Sequence, residues 1–313
     1  MKAAGEAVVL TGPVLVFGGP YGNLEATQAV FAEARRRGIA PKNIVCTGDL
    51  AAYCADPQPV IDLVRRAGIR VVMGNCEESL AAGAADCGCG FAEDSACAAL
   101  ASEWYAYADR RVDSDSRRWM GSLPRRLNIV IGPRLLAMVH GGVTSINRFV
   151  FASTDDAIAE ELAASGCDGV IAGHCGLPFT CERNGWLWHN AGVIGMPAND
   201  GTSCVWYSIL APTDANITIA HHALAYDHRA AAARMRASGL SEDYASALET
   251  GLWPSCDILP AAELAARGVA LEPGTVLWRG PGQSLQGEVC WPRGAAAKGL
   301  LHGDAEIGVT GAG

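Results

Sequence analysis

The first part of the chain alternates short apolar runs with segments of helical periodicity. Val14 to Gly18 is apolar throughout and predicts a buried strand, and Leu24 to Arg37 has the apolar spacing of a helix. The same unit follows with a strand at Asn43 to Thr47, a helix at Val60 to Arg66 and a strand at Ile69 to Met73. Apolar strands joined by helices predict a parallel sheet that is covered on both faces.

The middle of the chain predicts paired strands. Leu127 to Ile131 and Leu135 to Val139 form a hairpin that turns at Gly132-Pro133 and ends at His140. We also predict a helical stretch around Trp104 to Trp119, a helix at Asp155 to Ala164, a strand at Gly169 to Ala172, and two hairpins of a second sheet, Thr180 to Glu182 with Trp186 to His189 and Cys204 to Leu210 with Ile217 to His222. The fold class is therefore α/β, a β-sandwich flanked by helices.

The pattern changes after about residue 225. Arg229 to Ser238 and Asp243 to Thr250 are amphipathic, and a third helix is predicted at Ala261 to Arg267. We predict a main domain over residues 1–225 and a helical appendage over residues 226–279. The Gly- and Ala-rich tail over residues 280–313 is expected to be disordered in part.

Composition and charge narrow the function classes. Half of the 313 residues are hydrophobic, which is ample for a core, and the net charge is −9. That charge argues against nucleic acid as the main partner, since binding to phosphate backbones depends on clustered Lys and Arg. The N-terminal apolar run, Ala7 to Leu10, is too short for a secretion signal or a membrane span. We expect a cytoplasmic protein with no membrane partner.

Four polar residues stand where predicted strands end, each beside a glycine. They are Asp49, Asn75, His140 and His174. Loops at the carboxyl ends of neighbouring parallel strands meet at one edge of a sheet, so we expect these side chains to converge. Oxygen and imidazole ligands suit a divalent metal that keeps a position open for water. The pattern predicts a metal centre at this edge.

Cysteines are crowded near the same edge. The chain has twelve, and a reducing cytoplasm argues against structural disulfides. Cys76, Cys87, Cys89 and Cys97 form a Cys-x10-Cys-x-Cys-x7-Cys series within an insertion over about residues 76–97. Four thiolates favour an additional zinc ion or an iron-sulfur cluster. A loop of partly buried thiols and a redox role both stay open as alternatives.

The motifs resemble those of the calcineurin-like metallophosphoesterase superfamily over about residues 14–200. The resemblance is carried by Gly22-Asn23, Gly48-Asp49, Gly74-Asn75-Cys76-Glu77, His140-Gly141, Gly173-His174-Cys175-Gly176 and Asn190-Ala191-Gly192. It implies a four-layer α-β-β-α metallophosphoesterase-like sandwich, with the C-terminal helical appendage beside it.

The resemblance also implies two metal positions, of which this sequence keeps one complete ligand set. Asp49, Asn75, His140 and His174 match the ligands of the second metal. The exclusive ligands of the first are replaced by glycine and tyrosine, at Gly19, Tyr21 and Gly176. We expect a remodelled or mononuclear site with one Fe, Mn or Zn ion.

Two functions remain open at this point. The first is hydrolysis of a phosphate mono- or diester by a hydroxide on the metal, with a small phosphorylated substrate. Its catalytic residues would be Asp49, Asn75, Cys76, His140 and His174, with Tyr21 and Asn23 binding substrate. Tyr21 could instead pack over the vacated metal position. The alternative is a noncatalytic or redox-active protein on the same fold, which binds zinc, iron or an iron-sulfur cluster through its cysteines.

Overall fold

A computed structural model describes residues 7–282 and 289–292. Most of the tail predicted over residues 280–313 lies outside these residues. The described strands are β1 (Val8–Leu10), β2 (Val14–Phe17), β3 (Ile44–Cys46), β4 (Arg70–Val71), β5 (Arg126–Ile131), β6 (Arg134–Val139), β7 (Gly169–Ala172), β8 (Pro178–Arg183), β9 (Trp186–Ala191), β10 (Val205–Pro212), β11 (Ile217–Leu224), β12 (Gly274–Trp278) and β13 (Val289–Trp291).

The described helices cover the sheets. They are α1 (Leu24–Arg36), α2 (Pro57–Ala67), α3 (Asn75–Ala82), α4 (Ala96–Asp109), α5 (Ser114–Gly121), α6 (Asp155–Ser165), α7 (His228–Ala237), α8 (Glu242–Thr250) and α9 (Ala261–Ala265). No helix in this described part of the chain is both long and apolar enough to cross a membrane.

The strands form two sheets. One has six strands in the order β12-β11-β10-β2-β3-β4, and the other has seven in the order β1-β5-β6-β7-β9-β8-β13. Strands β2, β3 and β4 run parallel, as the βα alternation predicted, and β5 and β6 form the predicted antiparallel hairpin.

The prediction that two later hairpins share a separate sheet is wrong. The β8–β9 hairpin joins β7 in the seven-stranded sheet, whereas β10 pairs antiparallel with β2 in the six-stranded sheet. A hairpin fixes only its own register, and the strand beside it is chosen by contacts that are distant in sequence.

The layers form the α-β-β-α sandwich of a mixed α/β fold. Apolar side chains such as Val16, Ile171 and Leu210 fill the space between the sheets. Helix α6 covers the outer face of the seven-stranded sheet through Ile158, and helices such as α1 cover the other outer face through Val30. All five side chains are fully buried.

The segment after residue 225 contributes to both helices and sheet. Helix α7 lies against α1, while β12 adds a strand to the six-stranded sheet beside β11. The appendage predicted over residues 226–279 is therefore not purely helical. Its boundary with the main domain at residue 225 stays a prediction.

Candidate metal centre

Four loops deliver the predicted ligands to one point. Asp49 follows β3, Asn75 begins α3 after β4, His140 follows β6 and His174 follows β7. One ligand atom from each of Asp49, His140 and His174 lies within 4.8 Å of the others, and Asn75 Oδ1 lies 2.9 Å from His140 Nε2. All four residues are buried. The structure thus brings together the four residues that the sequence predicted as metal ligands.

Close contact between two of these loops depends on Gly48. A Cβ there would lie 2.7 Å from the Gly74 nitrogen, and the Gly48 φ of 95° disfavours other residues. Asp49 and His174 have positive φ angles themselves, 59° and 63°. Such angles are uncommon outside glycine and are found at sites that the surrounding structure constrains.

Glu77 joins the two loops. Its Oε2 accepts hydrogen bonds from the backbone N–H groups of Asp49 at 2.7 Å and Gly74 at 2.8 Å, and its Oε1 accepts from Leu50 at 2.7 Å. Burial, with Asp49 adding to it, raises the pKa of Glu77 to about 7. The carboxyl group caps α3 and also holds Asp49 against the start of that helix.

A backbone carbonyl sets the orientation of His140. Its Nδ1 lies 2.6 Å from the Thr47 carbonyl oxygen, which can only accept, so Nδ1 carries the proton. In the neutral ring, Nε2 then has a free lone pair. That atom faces Asp49 Oδ2 at 3.2 Å and His174 Nδ1 at 3.1 Å. Metal-binding histidines are commonly fixed in this way.

The amide of Asn75 is oriented by the cysteine-rich loop. Its Nδ2 donates to the Cys87 carbonyl oxygen at 2.8 Å and lies 3.3 Å from Cys89 Sγ. Oδ1 is therefore directed at His140. A carboxylate, an amide oxygen and imidazole nitrogens face one another in a buried space, and such a set of lone pairs fits a divalent cation between them.

The pKa shifts of His174 and Asp49 favour the protonation states that metal binding requires, whereas the raised pKa of His140 favours a proton that a metal would have to displace. Burial, then the neighbouring His140, lowers the pKa of His174 to about 3, so its ring is neutral. Burial acts to raise the pKa of Asp49, but the two histidines outweigh it and the pKa is lowered. Burial acts to lower the pKa of His140, and Asp49 reverses that effect. An ionised carboxylate and a neutral imidazole are ready to bind a metal.

Aromatic rings occupy the side where the first metal's ligands are replaced. A Cβ on Gly19 would lie 2.5 Å from Cζ of Tyr21, and a Cβ on Gly176 would lie 3.2 Å from the ring of Trp253. The Tyr21 ring therefore packs against Gly19, and it also lines the cleft beside Asp49. The Trp253 ring comes from the segment after α8 and was not foreseen at this site.

A cleft opens beside Asp49 and His174. The volume that the centres of water molecules can occupy in this cleft is about 70 Å³. At about 10–15 Å³ for each water, the cleft has room for about five waters. Six aromatic side chains contribute to its walls: Tyr21, Tyr53, Phe91, Phe149, Tyr244 and Trp253. Sequence reasoning missed five of them. Among these five, only Tyr53 could have been linked to the site from the sequence, because it lies on the loop that begins with Asp49.

The four-cysteine metal site predicted from the sequence does not form among the described residues. Cys87 and Cys89 are joined by a disulfide, because the chain turns at Gly88 with a φ of 63°. Helix α4 carries Cys97 toward Ser255, whose Oγ lies 3.3 Å from its sulfur. The ligand group that the structure does form contains no cysteine.

The expectation of no disulfides is also wrong. A second disulfide joins Cys181 on β8 to Cys290 on β13. Those two strands are antiparallel neighbours in which Cys181 and Cys290 lie directly opposite each other. That pairing could not be read from the sequence, because the two cysteines are 109 residues apart.

Cys76 does not have the environment of a catalytic thiol. Burial, followed by Asp49 and Glu77, raises its pKa, so the thiol stays neutral. Its side chain is not among those that line the cleft in the described structure. The backbone N–H of Cys76 donates to Asp49 Oδ1 at 3.2 Å. Its contribution is therefore to position the carboxylate, which differs from the predicted catalytic role.

Asn23 caps a helix and does not face the cleft. Its Oδ1 accepts from the Ala26 N–H at 3.0 Å, and its Nδ2 donates to the Gly195 carbonyl at 3.1 Å. The side chain is 1% exposed. Both polar groups are used within the fold, so the structure gives Asn23 a capping role in place of the predicted substrate contact.

Comparisons with known proteins agree with this geometry. The sequence profile of the calcineurin-like phosphoesterase superfamily domain matches residues 21–211. A metallophosphoesterase from Sphaerobacter thermophilus is 22% identical, with 79% of this chain and 100% of that chain covered and a TM-score of 0.59. The protein PH1004 from Pyrococcus horikoshii OT3 is 15% identical, with 78% and 100% covered and a TM-score of 0.64. At these identities the two structures show a shared fold.

A curated relative aligns over a shorter stretch. The protein MJ0912 from Methanocaldococcus jannaschii is 40% identical over 55 residues, which are 18% of this chain and 22% of that protein. The alignment thus spans less than a quarter of that relative's length.

Proposed function

We propose, since this chain belongs to the calcineurin-like phosphoesterase superfamily, that it is a metal-dependent hydrolase of phosphate esters with a mononuclear site. The observation that carries the proposal is the convergence of Asp49, Asn75, His140 and His174 on one buried point. A bound Fe, Mn or Zn ion would supply activation of water near neutral pH and neutralise charge on the phosphate.

The residues of the chain prepare this chemistry. Asp49 supplies the negative charge, while Thr47 fixes the tautomer in which His140 Nε2 can bind a metal. Tyr21 and Trp253 cover the positions where a second cation's ligands would stand, so the chain supports one ion. The cleft leaves room beside Asp49 and His174 for the phosphate group.

The site favours esters whose leaving group is a good one. Paired metals stabilise both the attacking and the leaving oxygen, whereas a single ion that activates the attacking water leaves the leaving oxygen without a metal. The Cys76 thiol is buried away from the cleft and cannot serve as a proton donor there. We therefore expect faster hydrolysis of aryl esters than of alkyl esters.

One comparison of variants tests the proposal. Metal binding is measured by calorimetry, and hydrolysis of bis(4-nitrophenyl) phosphate is measured with Mn²⁺ or Zn²⁺. We expect Asp49→Asn to lower both metal affinity and hydrolysis at least about a hundredfold. The double substitution of Cys87 and Cys89 by serine should keep most of the activity, because neither residue is a ligand.

The reverse result would favour the redox alternative. The observation on its side is the Cys87–Cys89 disulfide, whose Cys89 sulfur lies 3.3 Å from Asn75 Nδ2. Under that alternative, the double serine variant loses function and Asp49→Asn keeps it. Iron with a visible absorbance band in anaerobically purified protein would support it further.

A further inference from the structure

We infer that the cleft beside the metal centre binds a phosphodiester that carries an aromatic ester group and a single negative charge. This inference rests on the proposed function and names the substrate class of the same site. It draws on the chemistry of the cleft walls and on the charge of the centre.

The walls of the cleft offer faces for a ring. Tyr21 and Tyr53 meet edge to face with their ring centroids 4.7 Å apart, and Tyr244 lies 4.9 Å from Tyr53. Also in the wall, Phe91 stacks on Phe149 with the ring centroids 6.1 Å apart. Aromatic side chains favour stacked or edge-to-face contact with another ring, beyond the burial of apolar surface.

One of these rings links the aromatic wall to the metal ligands. The centroid of Phe149 lies 4.3 Å from that of His174, and both side chains line the cleft. A ring held against Phe149 would therefore place an attached phosphate next to His174 and Asp49. The aromatic wall and the metal centre form two parts of one binding site.

The charge of the site selects a monoanion. A divalent cation with the Asp49 carboxylate and three neutral ligands carries one net positive charge. Among the described residues that line the cleft there is no lysine or arginine, and Asp49 is the one carboxylate. A diester monoanion balances that charge, whereas a monoester dianion or a polyphosphate would leave negative charge uncompensated at a site with buried walls.

Binding measurements test both parts of the inference. Calorimetry with the Mn²⁺-loaded full chain would compare diphenyl phosphate, diethyl phosphate and phenyl phosphate. The first has rings and one charge, the second lacks rings, and the third has one ring but two charges near neutral pH. We expect diphenyl phosphate to bind at least about tenfold more tightly than either of the others, a difference of about 1.4 kcal/mol.

Substitutions in the aromatic wall of the cleft test where diphenyl phosphate binds. Trp253→Leu should weaken diphenyl phosphate about fivefold and leave diethyl phosphate unchanged, because a ring contact is lost. Phe91→Leu, at a partly exposed position, should weaken it about threefold. Trp186→Leu is the matched control, since Trp186 is 40% exposed at the start of β9 and does not line the cleft.

The outcomes separate this inference from the proposed function. Tight binding of diphenyl phosphate without hydrolysis would leave the cleft assignment standing and overturn the hydrolase. Hydrolysis with equal affinity for all three ligands would keep the hydrolase and overturn the cleft assignment. Unchanged diphenyl phosphate affinity in both wall variants would also overturn it.

Discussion

Glu77 shows how much of the candidate metal centre depends on a residue that is not among its candidate ligands. Its two carboxylate oxygens accept three backbone N–H groups from the loops that carry Asp49 and Asn75. Because the side chain is fully buried, any group that replaces it must satisfy those donors without help from water.

We expect Glu77→Gln to destabilise the protein and loosen the site. The amide nitrogen cannot accept, so at least one buried N–H loses its partner, at a cost of about 2 kcal/mol or more. Metal affinity should fall at least about tenfold, since Asp49 is no longer held in place. Urea denaturation and metal calorimetry measure the two effects.

Glu78→Gln is the control for this change. Glu78 is the next residue on α3, and its carboxylate pairs at the surface with Arg125. Its substitution should change stability by less than about 1 kcal/mol. Equal stability and equal metal affinity in both variants would contradict the role assigned to Glu77.

At the residue scale, the sequence predicted which residues meet at the candidate metal centre and missed the aromatic walls of the cleft. Asp49 and His174 were predictable because each follows an apolar strand and a glycine, and strand ends of a sheet share an edge. Tyr244 and Trp253 reach the cleft from a segment that is distant in sequence. Local pattern carries no information about such packing.

Among the elements, α7 has a well-defined anchor. Arg234 forms a two-point pair with Asp56, whose backbone precedes α2, and its Nε also lies 3.5 Å from Glu25 on α1. Arg234 is about half exposed, so solvent screens part of the attraction. The pair still joins α7 to the start of α2 and to α1.

We expect Arg234→Leu to loosen the segment that begins at α7. Stability should fall by about 1 kcal/mol, because the bidentate pair is lost and Asp56 is left without its partner. Limited proteolysis should cut near residue 226 sooner than in the unchanged protein. Arg229→Leu, at an exposed position on the same helix, is the control, and equal cleavage in both would contradict the anchor.

Elements with regular apolar spacing were predicted more accurately than short ones. The helix at Leu24–Arg36 and the hairpin of β5 and β6 agree with the sequence, since each has a clear period and a clear end. The start of α3 at Asn75 was not predicted, because its eight residues begin inside a ligand motif. The break between α4 and α5 was missed because it depends on the Asp113 cap, without glycine or proline.

At the scale of the whole molecule, a buried polar chain connects the two sheets. Thr180 on β8 contacts His221 on β11 at 2.6 Å and His189 on β9 at 2.8 Å, and His189 contacts Ser208 on β10 at 2.7 Å. Burial lowers the pKa of His189 to about 3, and burial, with its neighbouring histidines, lowers that of His221.

These histidines predict a loss of stability in acid. Each has a lower pKa in the folded state than the value of about 6.5 in an unfolded chain. The contribution of each is therefore complete above about pH 6.5 and is lost as the pH falls below that value, for His189 toward about 3, by at most about 1.4 kcal/mol per pH unit for each. Urea denaturation from about pH 7.5 down to about pH 5 measures this slope.

A variant separates this effect from other titrating groups. His189→Gln can keep hydrogen bonds to Thr180 and Ser208 but takes up no proton, so its stability should fall less steeply with pH. His228→Gln, on α7 outside the sheet interior, should keep the slope of the unchanged protein. Parallel slopes for all three proteins would contradict the assignment.

The last two described strands, β12 and β13, are edge strands of different sheets. β12 pairs with β11 at one margin of the six-stranded sheet, and β13 pairs with β8 at one margin of the seven-stranded sheet. A chain cut after residue 225 would lack β12 and β13, so β11 and β8 would both become edge strands with unpaired backbone N–H and C=O groups. Exposed edge strands of this kind pair with strands of other molecules. Light scattering of the shortened protein should therefore rise steeply with concentration.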